Sequence, residues 1–475
     1  MTDKSARFVG VAVAAFLVIG AALVGRRLVP TASSRTPAAT VSPARPIEVA
    51  DAGIVAFDPV PAAPLWAKSF YFDVALSWDE PPKEKVKAQL ASIASLRPFS
   101  RLENPAPATD DKASFVMVEG PAVGDLAPMS AASLKYFAVE LSEADRRAYL
   151  GAKMCAAFSF HGPIDAGFAT LRAALNGVRE LADNTSSIVT DGSTRQVFSR
   201  ASWASRVDAW TNGVPKLSKH IAIHGYPNGG LIRVVTLGMA KFGLPDIAAE
   251  EIAREQSQRM SDLVLLVAQT LVERGKLDRA GELEIAIDEL KARPDLGDFA
   301  PKATKRGVVS LGIAKPKEGD ADNRLIQIVF PGSANGVQQR QAKLLEGIFG
   351  ARDEMVQVDG SDGEIAAASA RARAKLLTLK PAWSNGPPGL DDLIVKAPFQ
   401  TPDGRSEWMW VEVTGWSGTK IKGILQNDAY EIPGLVVGTH VEVEESSIFD
   451  YMLKHPDGSI EGGETNALIT KGAKK

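Results

Sequence analysis

Lys219–Leu237 reads KHIAIHGYPNGGLIRVVTL. Ile221, Ile223 and the branched run Leu231–Leu237 suit a pleated surface. Between them, Pro227-Asn228-Gly229-Gly230 supplies residues that tolerate a chain reversal, so the segment predicts a hairpin of two strands, Lys219–Tyr226 and Leu231–Leu237. Toward the N-terminus, Ser69–Leu76 (SFYFDVAL) alternates at period two, and strand-like runs recur at Ala113–Glu119, Leu134–Leu141 and Lys153–Phe160. Pro82–Ile93 reads as a short amphipathic helix. Asp165–Ala182 is a longer one, with Phe168, Leu171, Ala174, Leu175, Val178 and Leu181 on one face. Beyond the hairpin, Arg259–Glu273 predicts a helix burying Met260, Leu263, Val264, Val267 and Leu271, and Asp278–Arg293 another, stopped by Pro294. Strands and helices interleaved at short spacing predict an α+β domain over residues 66–294.

Residues 295–322 are rich in Gly, Pro, Lys and Asp and read as a linker, apart from a strand-like Val308–Ala314. A connecting α/β segment, residues 323–360, holds a strand at Leu325–Phe330, a helix at Gln338–Phe349 with Gly350 as its C-cap, and a short strand at Met355–Val358. Ser361-Asp362-Gly363-Glu364 has the spacing of a capping box. Ile365, Ala368, Ala372, Leu376 and Leu379 then form one apolar stripe, ended by Pro381. After it the period switches to two at Leu393–Ala397, Glu407–Thr414, Thr419–Leu425 and Thr439–Val443. This predicts a helix packed on a small antiparallel sheet, strongly bent or closed into a barrel, over residues 361–470.

Several blocks of this last region resemble one family. They are Glu364–Leu377, Val395-Lys396-Ala397-Pro398-Phe399, Met409-Trp410-Val411-Glu412-Val413, Gly423-Ile424-Leu425-Gln426-Asn427-Asp428, Ile448-Phe449-Asp450-Tyr451 and Gly462-Gly463-x-Thr465. In order and spacing they resemble the bacterial domain-of-unknown-function family 2314, also called YegJ-like. Two turns depart from its pattern: Ala429 stands where proline is common, and Gly438-Thr439 where Gly-Asp is typical. The resemblance implies a fold without a known activity and so transfers no catalytic residue. The middle region, with His220–His224 and Val235–Gly243, looks like uncharacterised companion domains of such proteins.

The other end of the chain is different in kind. Phe8–Gly25 (FVGVAVAAFLVIGAALVG) has no charge and no proline. As a helix it would span about 27 Å, close to the ~30 Å hydrocarbon core of a bilayer. Residues 1–29 therefore read as a retained transmembrane anchor, contacting the membrane through residues 8–25, in preference to a cleaved signal or a buried helix. Arg26-Arg27 follow the run directly, and the best small-residue cleavage site lies inside it. Basic residues flank both sides, so the positive-inside count leaves orientation open. Residues 30–65, rich in Pro, Ala, Ser and Thr at their start, read as an extended tether.

At 475 residues, with a prior of ~150 per domain, the chain holds two or three domains. Its net charge of −3 supplies no basic field for phosphates, so nucleic acid is not expected as a partner. The single cysteine, Cys155, permits no internal disulfide.

No cofactor, metal or catalytic set emerges from the residues. His220 and His224 would lie on one strand ~13 Å apart. Zinc–nitrogen bonds of about 2.0–2.1 Å cannot span that distance. Cys155 and His161 share parity on a strand but stand ~20 Å apart, beyond the ~3 Å reach of a nucleophile and its base. Asp320–Asn323 and Asp359–Glu364 recur in a calcium-like rhythm, but Arg324 replaces an oxygen ligand in the first and helix capping explains the second. Phosphate-loop, nucleophile-elbow and dinucleotide fingerprints are missing from the sequence. What remains is an aromatic strand. Trp408 and Trp410 share one of its faces, and Asn427, Asp428 and Asp450 are the polar candidates for the rim of a binding face there. The alternative is that the tryptophans are core.

The expectation is a non-enzymatic binding or interaction module at the cell envelope, single-pass in the inner membrane with its bulk periplasmic and an unknown protein or small-molecule partner. Two alternatives stand beside it: a hydrolase-like enzyme using scattered carboxylates with His220 or His224, and a cytoplasmic immunity- or stress-type protein.

Overall fold

The structure, a computed structural model, describes residues 56–79, 85–103, 111–228, 231–300, 302–332, 336–350, 363–384 and 393–427, and most of 429–468. It also gives the backbone of three short strands, Arg27–Pro30, Arg45–Pro46 and Met355–Val358. The apolar run Phe8–Gly25 and the capping residue Ser361 lie outside the described residues. Among the described residues no helix is long and apolar enough to cross a membrane. The described part is mixed α and β and is built on three main sheets.

The first sheet contains β1 (Ser69–Trp78), β2 (Ser100–Leu102), β3 (Ser114–Pro121), β4 (Ala138–Val139), β5 (Met154–Pro163), β6 (Ile188–Asp191) and β7 (Gln196–Phe198), in the order β2-β3-β5-β1-β6-β7-β4. Alternation along β1 buries Phe70, Phe72, Val74 and Leu76, and the helices carrying Leu175, Val178 and Trp203 join the same core. Those helices are α3 (Ala169–Thr185) and α4 (Arg200–Asp208). On the opposite face, α1 (Ala131–Phe137) and α2 (Glu143–Leu150) set Leu134 and Tyr149 against Ile188 and Val197. The expected strand at Leu134–Leu141 is thus helix in its first half, with Ala138–Val139 paired as β4. Its Leu134, Phe137 and Leu141 also fit a three-to-four residue period, and Ser130 caps the turn by accepting from Ser133 N.

The second sheet runs β8 (Ala222–Asn228), β9 (Leu231–Leu237), β10 (Asp246–Ile252), β13 (Leu325–Val329), β12 (Arg306–Ala314) and β11 (Glu282–Ala286). The hairpin read from Lys219–Leu237 forms, with Asn228 paired to Leu231. Helices α5 (Ser257–Arg274) and α6 (Val337–Phe349) cover one face. Two expectations change here. Asp278–Arg293 contains β11 instead of a helix, because Leu283 and Ile285, two apart, enter the core beside Val309 and Leu311. Within residues 295–322 the strand-like Val308–Ala314 lies in β12, which stands between β11 and β13. The tether also ends sooner than residue 65. Val60 is buried and donates to Leu311 O at 3.1 Å while accepting from Gly281 N at 2.7 Å, and Leu65 N reaches Gly275 O at 2.7 Å.

The third sheet is made by β14 (Leu393–Gln400), β15 (Ser406–Ser417), β16 (Lys420–Leu425), β17 (His440–Glu444), β18 (Asp450–Lys454) and β19 (Ile460–Gly462). Its strand path runs from Arg45–Pro46 through β17, β16, β15, β14 and β18 to β19. The path has two ends, so the sheet is open and the barrel alternative is set aside: closure needs the last strand to pair with the first. A register shift at Val413–Gly415 marks an irregularity in β15. Helix α7 (Gly363–Ser384) lays Ala372 and Leu376 on the core formed by Val395, Val411, Ile421, Val441 and Leu453. Pro381 lies inside α7 and does not end it.

Candidate functional site

The last region's chemistry gathers on the face of the third sheet opposite that core. Lys396 of β14 and Asp450 of β18 are cross-strand partners, both buried. Burial draws the Lys396 ammonium down to about 8 against the pull of Asp450, and its Nζ lies 5.3 Å from the centre of the Trp410 ring. Burial likewise raises the Asp450 carboxyl, opposed by the groups that bond to it. Tyr451 N donates to it at 2.8 Å and Thr465 N at 3.0 Å, with the Thr465 hydroxyl bonding the same oxygen. The Gly-Gly-x-Thr block makes this possible. Gly462 and Gly463 have φ of +89° and +74°, and a Cβ on Gly462 would meet Tyr451 O at 2.2 Å. Only glycine lets the chain pass that carbonyl and bring Thr465 to Asp450.

Of the residues expected at a binding face, Trp410, Asn427 and Asp450 are buried and Trp408 is half-buried. Trp410 is 7% exposed and packs with Ile394 and Met452. Trp408 is half-buried against Phe449, Ile365 and Leu468. Asn427 is buried and its Oδ1 accepts from Trp410 N at 3.0 Å, while Asp428 lies outside the described residues. The same strand face docks on the second sheet. Arg254, just past β10, sends Nε to Glu412 Oε2 at 3.0 Å and its backbone N to Gln426 Oε1 at 2.6 Å. Sequence reasoning missed Lys396, Thr465, Glu412 and Arg254 as contributors. A charge inside the apolar run LIVKAPF was the visible signal for Lys396.

A second buried cluster joins the first and second sheets. The side chain of Asp191, at the end of β6, is 0% exposed, and those of Arg206 (α4) and Lys241 are each 1% exposed. Lys241 Nζ reaches Asp191 Oδ2 at 2.6 Å, Arg206 bonds the same oxygen, and both cations also donate to His220 O, at 2.8 and 2.7 Å. Burial, reinforced by the Arg206 charge, pulls Lys241 down to about 7. For Asp191, burial pushes upward, but Lys241 and Arg206 outweigh it and hold the carboxylate ionised. His220 and His224 are both buried. Burial, with the nearby cations, holds His220 well below its usual value, and burial with Arg195 brings His224 to about 4. Cys155 is buried, and its thiol is pushed up to about 11 by burial. Among the described residues no group of three or more His, Cys, Asp or Glu side chains is placed to hold a metal ion.

A helix on an open antiparallel sheet, with a charged pair sealed beneath a tryptophan, defines the C-terminal region as a small α+β domain. Residues 362–474, under a quarter of the chain, match the model of DUF2314, described as an uncharacterized protein conserved in bacteria. No curated protein and no solved structure matches the chain.

Proposed function

We propose that this protein is a membrane-tethered interaction module of the bacterial envelope, without catalysis of its own, that meets its partner through the open half of the first sheet. One observation carries the reading. Helices α1 and α2 cover only part of the outer face of that sheet, and Tyr71 and Val118 stand on the remainder at 52% and 55% exposure. Val123 and Leu150, also exposed, flank the turn where Ala122 N meets Lys153 O at 2.9 Å. Tyr71 and Val118 share one face with the hydrogen-bonded pair Asp73 and Ser159 on the row between them, and such a mixed surface suits a protein contact. The densest charged clusters support the same reading, because their partners are one another and they join the sheets. The apolar run Phe8–Gly25 supplies the tether.

The test places a photo-crosslinking amino acid at Tyr71 or Val118 of the full chain in cells, with Val308 on the second sheet as an equally exposed control. Discrete adducts at the first two positions and none at Val308 are expected, all in the membrane fraction. Equal labelling at the three positions overturns the interaction face. A C-terminal phosphatase fusion active outside the cytoplasm is the matching result for orientation, and an inactive one ends the envelope assignment.

A further inference from the structure

Strands β3, β5 and β1 set a grid of side chains on the face of the first sheet that points away from its core. Cross-strand register aligns Tyr71, His161 and Ser114 in one row, Asp73, Ser159 and Val116 in the next, and Ala75, Ala157 and Val118 in the third. Rows on one face lie roughly 7 Å apart along the strands. Phe70, Phe72 and Val74, one residue out of step, are the ones that enter the core. Asp73 therefore stands in the middle row, between the exposed ring of Tyr71 and the row that leads to Val118. On its other side the chain brings Gly192, whose N donates to Asp73 O at 2.9 Å. A Cβ on Gly192 would meet the Asp73 Cβ at 3.1 Å, so glycine at that position keeps the carboxylate uncrowded.

That carboxylate is short of a cation. Ser159 Oγ donates to Oδ1 at 2.6 Å, and among the described residues no lysine or arginine forms an ion pair with Asp73. Burial raises its carboxyl, bonds from Ser159 and Tyr71 oppose the rise, and the nearby charge that acts on it is Asp191, of the same sign. A carboxylate offers about four lone-pair sites, so these bonds leave acceptor capacity unused. A half-buried carboxylate beside an exposed tyrosine ring, with apolar residues one row away, matches a guanidinium. Its fork reaches the carboxylate, its flat face lies on the ring, and its methylenes cover the apolar neighbours. An ammonium would answer the charge without the flat face that stacks on a ring. An anion would be repelled.

We propose that Asp73 and Tyr71 form the anchor point for an arginine presented by a separate protein partner, the guanidinium lying on the Tyr71 ring and donating to the Asp73 carboxylate. The proposal deepens the interaction-face reading and rests on it, so two measurements keep their failures apart. The first uses the full chain labelled with 13C at histidine Cε1, which gives five resonances. His161, paired with Tyr71 across the strands, is identified by its loss in His161→Gln. Acetyl-arginine amide is expected to move that signal saturably with the other four still, and acetyl-citrulline amide, similar in shape but uncharged, to leave it in place. In Asp73→Asn the apparent Kd for the arginine amide is expected to rise about tenfold or more, as for a lost charged hydrogen bond. The four remaining signals report that the variant is folded. If the citrulline amide or acetyl-lysine amide binds as tightly, or folded Asp73→Asn binds unchanged, the anchor does not exist. The second measurement repeats photo-crosslinking from Val118 in cells with Asp73→Asn, where the yield of adduct is expected to fall about tenfold. An undiminished yield overturns the anchor and leaves the face standing. Absence of adducts without the substitution ends the face and the proposal together, and an adduct of twice the chain's mass makes the occupant a second copy and overturns the separate partner.

Discussion

At the scale of single residues, the buried charges at the seam are unequal in consequence. Asp191 serves two cations, so Asp191→Ala strands both Lys241 and Arg206 in the interior, at a cost of about 3–5 kcal/mol. Lys241→Met is expected to cost clearly less. It leaves Asp191 paired with Arg206, which also keeps its bond to His220 O. Urea denaturation of the two variants gives the order, and equal losses would refute the shared-carboxylate account. His224 makes a second prediction. Its folded value of about 4 lies below the unfolded 6.5, so between those values the unfolded chain binds the extra proton. Stability from this group is complete above pH 6.5 and is lost as pH falls toward 4, on the order of 3 kcal/mol in all. Asp246, raised to about 6 by burial, acts oppositely, because its native form holds the proton in much of the same window. The wild-type curve is therefore the sum of opposed slopes, and the difference between it and His224→Gln isolates the histidine. A difference that stays flat from pH 7 to 4 would contradict the neutral ring.

At the scale of elements, the docking of β15 on the second sheet rests on Arg254. Arg254→Ala leaves Glu412 without this partner in a buried position, at about 1–3 kcal/mol. Amides of β15 and β16 near Gln426 are expected to exchange hydrogen faster, with those of β5 unchanged. Uniform acceleration would mean that the contact holds the whole fold and not the junction. Elements are also where the sequence could and could not be read. Strands with one apolar face, such as β1, and long helices with one stripe, such as α3 and α5, declare their period over many residues. Leu134–Leu141 does not, because eight residues with apolar groups at 134, 137 and 141 fit a helix as well as a strand. Asp278–Arg293 misled in the other direction. Charged residues gave it a helical look, while Leu283 and Ile285 were drawn into pairing with β12, a strand outside the segment. The site was less legible still. Trp408 and Trp410 were seen to share a face, yet Glu412 on that same face is met by Arg254, 158 residues earlier, and no local pattern signals a partner so distant.

At the scale of the whole molecule, the first two sheets share one apolar cluster, from Val60 through Phe72 and Trp203 to Leu266, Leu311 and Phe349. A shared core predicts shared unfolding. Leu266→Ala in α5 is expected to cost about 2–5 kcal/mol and to raise hydrogen exchange in β1 and β9 together, though only β9 belongs to the sheet it covers. Exchange rising in β9 alone would mark two independent units. The third sheet, with its own core around Val395 and Val411, is expected to follow later or separately.

Were the chain held at its front end, as proposed, the bonds from Val60 to Leu311 and Gly281 would have a mechanical meaning. Drag would arrive first at Arg27–Pro30 and Arg45–Pro46, which pair with Met355–Val358 and with β17, and only beyond those pairings must a valine be pulled out of apolar surroundings. Tension would enter through the third sheet and then the second, and leave the open half of the first one slack.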